Sequence, residues 1–250
     1  MRLLFTKPNV ARTLTVARFN YTGAPQYFTV PPSTYQLRVK LWSGGGGSHP
    51  SYNTAFKGGS SAFVSGTLQV QPSEQLTIYV GQAGGNGIAA GDAGGGGGAT
   101  ALLRGSTVLA IAGAGSGSLW NSDYGNCGRL QDQTQVVTSV NGQDGVTWGG
   151  SYPAAGGWGY GTGGRGGGSG IVGGPGGGAG AQGGIGGRGG LGGGSPKGYG
   201  GTSSWDELLL NPVCEAGQPN LPGGSSDYYK DPLIGNYNQN GQLVILYKSM

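Results

Sequence analysis

Gly183-Gly184-Ile185-Gly186-Gly187-Arg188-Gly189-Gly190-Leu191-Gly192-Gly193 carries a side chain at every third residue and bare backbone between. It is the centre of a longer tract, 156–201, in which 28 of 46 residues are glycine. A period of three belongs neither to an α-helix nor to a strand. It matches the left-handed extended helix with three residues per turn and about 3.1 Å rise, which makes no internal hydrogen bonds. Two of its three faces would be bare here, so neighbouring backbones can approach and bond. Every N–H and C=O must find such a partner or stay in water. A bundle of three-fold (polyglycine-II) helices satisfies them. The competing expectation is a flexible linker or disordered tail. Ordering a residue costs about 1–2 kcal/mol of backbone entropy, while a hydrogen bond returns only about 0.5–1.5 kcal/mol net.

The flanking sequence favours order. Residues 13–19 alternate as a strand does, and Tyr27 to Val30 is a short strand stopped by Pro31-Pro32. In Tyr35 to Trp42, Leu37, Val39 and Leu41 take one face and Gln36, Arg38, Lys40 and Trp42 the other. Gly44 to Gly47 follow directly. Further strands are expected at 62–70, 75–80, 99–104, 107–112 and 242–247, the last after the turn signal Asn240-Gly241. Glycine tracts begin where several of these strands end, at Gly81 and Gly113 as well as Gly44. A disordered tail would not be threaded through β-structure in this way. The expected organisation is one domain over 1–250. A β-module spans 1–112 and 240–250, and a glycine-helix bundle spans 113–239 with inserted loops 119–155 and 202–239. Little or no α-helix is expected.

Three segments carry a recognisable pattern: Tyr27-Phe28-Thr29-Val30-Pro31 with Gln36 to Gly47, Leu76 to Gly85, and Gly94 to Thr100 with Val108 to Gly115. Together with the closing Asn240-Gly241-Gln242-Leu243-Val244-Ile245 they resemble the glycine-rich domain family. That family occurs in viral and bacteriophage tail-fibre proteins and in anaplastic lymphoma kinase-type receptor ectodomains. The resemblance covers roughly 19–118 and 156–248. It implies a β-sandwich carrying a bundle of polyglycine-II helices. The longer, more polar stretch 119–155 and the segment 202–239 depart from the pattern. Fold of this kind hosts unrelated roles, so it does not by itself assign one.

Composition narrows the function. Glycine is 61 of 250 residues, yet it keeps no strict every-third frame throughout and proline is scarce, which excludes collagen. Charged residues are 10% of the chain, too few for a charge-driven disordered polymer. The net charge of +4 fits weak attraction to an anionic surface such as nucleic acid or polyanionic glycan without requiring it. No segment reads as a transmembrane helix. The opening Met1 to Pro8 has too short an apolar run for a signal-peptide core. The expectation is a mature protein, or one that reaches its place without the secretory route, as in assembly into a virus particle.

Chemistry-bearing motifs are few. Gly159-Tyr160-Gly161-Thr162-Gly163-Gly164 matches the dinucleotide fingerprint, but in a glycine tract the match is nearly inevitable and no helix pattern follows. The ten carboxylates include one adjacent pair, Asp206-Glu207, which reads as a solvated surface pair, not an acid–base couple. His49 is the single histidine, which excludes a multi-histidine metal site. An enzyme is therefore not expected, nor a cofactor or metal. Arg165-Gly166-Gly167 and Arg188-Gly189-Gly190 resemble RNA-binding tail segments in only two copies. Cys127 and Cys214 are either a disulfide closing 87 residues or two partly buried thiols.

The aromatics outside the β-alternation say more. Trp120, Tyr124, Trp148, Tyr152, Trp205, Tyr228 and Tyr229 lie in the two departing loops, and Trp158 and Tyr160 open the glycine tract. Tyr and Trp dominate interface hot spots. They also serve as plugs for a bundle with few side chains of its own. The seven loop aromatics are the candidate partner-binding residues. The function expected is that of a non-enzymatic structural or binding protein, a virion or fibre surface protein in host attachment or particle assembly. Its partners would be a protein or glycan on a host surface, neighbouring virion proteins, or further copies of itself, with no nucleic acid. The alternative is an extracellular glycine-rich ligand-binding or matrix domain of cellular origin. An ice-binding protein is a weaker alternative, since the aromatic loops argue against a flat regular face.

Overall fold

A computed structural model describes residues 13–49, 56–89, 92–118, 128–130, 141–142, 144, 151–168, 176–181 and 199–249. The period-three stretch 183–193 lies outside them. Among the described residues the chain is mainly β and has no helix. One antiparallel sheet runs in the order β1 (Thr13–Asn20), β13 (Gln242–Ser249), β3 (Gln36–Trp42), β4 (Phe63–Gln69) and β12 (Leu209–Glu215). The other runs β2 (Gln26–Thr29), β5 (Gln75–Tyr79), β6 (Thr100–Arg104), β7 (Thr107–Ala112), β11 (Thr202–Trp205) and β8 (Arg129–Leu130). Its pairs are antiparallel except the last, β11 with β8. A separate ribbon joins β9 (Ser151–Ala154) to β10 (Gly166–Gly168).

The two sheets share one apolar core, a sandwich-like arrangement. Leu37, Val39, Leu41, Val64, Leu68, Leu243 and Ile245 come from one sheet, and Phe28, Leu76, Ile78, Leu102, Leu109 and Ala110 from the other. Alternation places these residues inward. The exception is β7, where adjacent Leu109 and Ala110 both enter the core. A register shift against Leu102 and Leu103 of β6 marks a bulge there, and an extra residue resets which side chains face in. Within the two sheets glycine is needed at Gly66 of β4. A Cβ on Gly66 would strike the side chain of Leu209, which crosses β4 from the edge strand β12.

The strands give the molecule two unlike ends. At one end Trp42, Phe63 and Gln242 lie side by side, as do Tyr79 with Ala101 and Thr100 with Ala112. All of these strands except β13 continue there into glycine-rich chain. The opposite end carries tight turns, with Ser33, Ser73 and Gly105 at positive φ.

The glycine tracts bond to one another in a pattern of three. Gly94 and Gly97 donate to Ser118 and Gly115, Gly95 and Gly98 to Gly85 and Gln82, and Gly96 and Ala99 to Gly164 and Gly161. One tract thus feeds three neighbours in rotation, whereas a strand has at most two, one on each side. In 113–118 the pattern repeats: Ala114 and Gly117 donate to Ala179 and Gly176, Gly115 and Ser118 to Gly44 and Gly47. These bonds are 2.8–3.2 Å long, ordinary for N–H···O. The spacing leaves no room for a side chain. A Cβ on any of Gly94 to Gly98 would come within 3.0 Å of a neighbouring backbone carbonyl.

Two further apolar clusters cover the outer sheet faces. Ala101, Leu103, Val108 and Ile111 of the six-stranded sheet meet Ala179, Ala181 and Tyr160 of the glycine layer. Trp42, Phe63, Val244 and Leu246 of the five-stranded sheet meet Tyr229 and Ile234. Trp42 and Lys40 lie on the non-core face of β3, as alternation places them, and are buried there because the segment after β12 folds over them. One expectation needs correction: the stretch 202–239 is not wholly an inserted loop, since β11 and β12 join the two sheets. Pro212 hid β12 from a reading by alternation. It is tolerated because β12 is an edge strand with a register shift between Leu210 and Val213 and positive φ at Asn211.

Candidate functional site

Of the expected partner-binding residues, Trp120, Tyr124 and Trp148 lie outside the described residues, as does Cys127. Tyr152 belongs to β9. Trp205 ends β11 opposite Ala110 and packs half-buried against the main core. It is held by the fold and not displayed. Tyr228 and Tyr229 are neighbours with opposite fates. Their rings meet edge to face at 5.2 Å, but Tyr228 is 88% exposed while Tyr229 packs into the outer cluster. The Nζ of Lys40 sits 5.2 Å from the Tyr229 ring centre. Trp158 and Tyr160 act as plugs: Trp158 lies 6.0 Å from both Tyr21 and Tyr79, and Tyr160 lies 5.3 Å from Tyr79.

Tyr229 also walls a groove of about 400 Å³ on the five-stranded sheet, at the end remote from the glycine layer. The turn Ser33-Thr34-Tyr35 and the start of β3, Gln36 and Arg38, form one side. Leu14 of β1 and Leu246, Tyr247 and Lys248 of β13 form the rest. Leu14 is half exposed and Tyr35 is 59% exposed. Thr34 is 2% exposed, and its hydroxyl has no hydrogen-bond partner. Unpartnered buried hydroxyls are uncommon and costly.

Charge is distributed unevenly over this face. Lys40 is paired with Asp227, Arg18 with Asp231 at 3.6 Å, and at the sheet end Arg104 with Glu74 at 2.5 Å. Arg38 and Lys248 line the groove, and among the described residues no carboxylate pairs with either. The sequence marked Arg38 only as an outward residue of β3. Lys248 could be found only once strand pairing put β13 between β1 and β3.

The backbone N–H groups of Tyr160, Gly163 and Gly164 donate to Ala99, Gly157 and Gly177, so the fingerprint-like tract has these donors already engaged. Arg165 holds Asp144 through Nε at 2.9 Å and Nη2 at 2.6 Å. Burial raises the Asp144 carboxyl, but the hydrogen bonds and charge of Arg165 outweigh it and hold the group below its usual range. Cys214 has a free thiol, pushed up to about 11 by burial and the charge of Glu215 against a hydrogen bond from Ser203. Burial lowers His49, with Asp92 pulling the other way. Among the described residues no cluster of His, Cys, Asp and Glu could hold a metal ion, and no helix is long and apolar enough to cross a membrane. No protein-family model and no curated protein matches this chain.

Proposed function

We propose that this chain is a non-enzymatic display protein, carried on the surface of a virus particle or its fibre and serving attachment or assembly. Its glycine tracts are read as a bundle of polyglycine-II helices and its kinship as that of the glycine-rich domain family. The observation that carries the reading is the period-three bonding of residues 94–99 to three neighbours. Such bonding has the rotation expected of three-fold helices. A layer held by backbone alone is stiff and chemically uniform, so it suits support more than recognition. Recognition then falls to side chains placed on that support, at the loops and at the turn-bearing end of the sheets. Attachment needs this division between rigid stalk and varied tip.

Immunogold labelling of purified particles, compared with the cellular secretome of the same culture, tests the reading. The expected result is label on the particle surface and loss of particle adsorption when antibody is bound. Recovery of the protein only from a particle-free secretome would overturn it.

A further inference from the structure

We propose that the groove bounded by β1, β3, β13 and Tyr229 binds an acidic saccharide, one bearing a carboxylate or sulfate. This names a ligand class for the attachment reading and rests on it for its biological setting, while the groove itself is testable in purified protein.

Three features point the same way. Arg38 and Lys248 are the groove's two cations, and no carboxylate among the described residues pairs with either. The neighbouring cations Lys40 and Arg18 are neutralised by Asp227 and Asp231. Attraction for an anion is therefore concentrated in the groove. The guanidinium fork of Arg38 suits the paired oxygens of a carboxylate or sulfate. Tyr35 and Tyr229 add flat apolar faces with hydroxyl tips, which match the C–H face and hydroxyl rim of a sugar ring. The volume of about 400 Å³ lies in the range of small-ligand sites. The apolar part, Leu14 and Leu246, is too small to drive binding of a greasy ligand. Two cations make a weak track for a nucleic acid, whose binding rests on many phosphate contacts.

The test is isothermal titration of the full chain with three probes: 3′-sialyllactose, a heparin-derived tetrasaccharide, and neutral lactose. An acidic probe should bind at least ten-fold more tightly than lactose and weaken as salt rises. R38Q and K248Q should each reduce that affinity at least ten-fold with an unchanged melting temperature. Equal binding of lactose, or unchanged affinity in R38Q and K248Q, would overturn the proposal. So would no binding of any probe, or tighter binding of a single-stranded oligonucleotide that R38Q abolishes. The outcome is separable from the display reading: an acidic saccharide bound by a protein found only in a secretome would keep the groove and remove the virion.

Discussion

Gly96→Ala adds one methyl group at the crowded centre of the glycine layer. Its Cβ would come within 3.0 Å of three backbone atoms, the carbonyl carbon and oxygen of Gly177 and the nitrogen of Gly178. None can swing aside as a side-chain tip could, so the tracts 94–97 and 176–179 must separate. Two bonds tie them, Gly176 N–H to Gly94 C=O and Ala179 N–H to Gly97 C=O, both 3.0 Å. Relieving the overlap takes both out of hydrogen-bonding range. Each lost bond costs about 1 kcal/mol net, and a buried group left unpaired costs about 1–3 kcal/mol. Reduced freedom of the unfolded chain offsets about 0.4–1 kcal/mol. The expected net loss is roughly 2–4 kcal/mol. Gly105→Ala is the control. Gly105 has φ of +57° and nothing within 4 Å of an added Cβ, so the methyl meets open space. Backbone strain of about 1–2 kcal/mol, less the same offset, leaves a cost near 1 kcal/mol. Urea unfolding of both variants followed by circular dichroism gives the comparison. If Gly96→Ala unfolds at the same urea concentration as Gly105→Ala or higher, the layer is not close-packed and the reasoning fails.

Tyr229→Ala should lose about 2 kcal/mol of stability because it uncovers the outer cluster, whereas Tyr228→Ala should stay within about 0.5 kcal/mol; thermal melts compare them, and equal losses would mean Tyr228 is packed too. Cys214 should react slowly with a maleimide in the native protein at neutral pH, since its thiol is pushed up to about 11 and only the thiolate is nucleophilic. Denaturant should accelerate the labelling, and fast native labelling would contradict the burial. His49 should make stability depend on pH. Burial holds its folded-state value below the unfolded value of about 6.5, so the unfolded chain takes up the proton first. Stability is then full above about pH 6.5 and falls as pH drops from there through the lower folded value. His49→Gln should flatten that slope in urea titrations between about pH 5 and 7.

Strands are most legible where alternation meets a core on one side only, as in Gln75–Tyr79, where Leu76 and Ile78 are buried and Thr77 and Tyr79 are not. β12 is not legible in this way, because Asn211-Pro212 sits at an edge where the lattice of hydrogen bonds tolerates it. Alternation puts Lys40 and Trp42 on the face opposite Leu37, Val39 and Leu41, as found, but their burial by the segment after β12 depends on contacts across nearly 190 residues, as in Lys40 with Asp227. The groove was less legible still. Arg38 and Lys248 stand 210 positions apart in the chain, and only the order β1-β13-β3 brings their strands together. Tyr229 stands out in the sequence as an aromatic, but nothing there gives its surroundings. Composition cannot tell a displayed ring such as Tyr228 from a packed one.

The bonds of the glycine layer join residues far apart along the chain, such as Gly117 to Gly176, Gly45 to Gln239 and Gly241 to Gly81. None of these can form until long loops have closed, and glycine is the residue whose freedom is most costly to remove. Shorter closures exist, such as Gly163 to Gly157 and Gly95 to Gly85, but the layer cannot be completed until the long loops have closed on paired sheets. Folding should be slow, on the scale of milliseconds to seconds or longer. The same geometry acts in reverse. A tract clamped by three neighbours cannot peel away singly, so unfolding must breach many bonds at once. The protein's persistence would then be a matter of rate, its lifetime set by the height of the unfolding barrier and not by equilibrium stability alone.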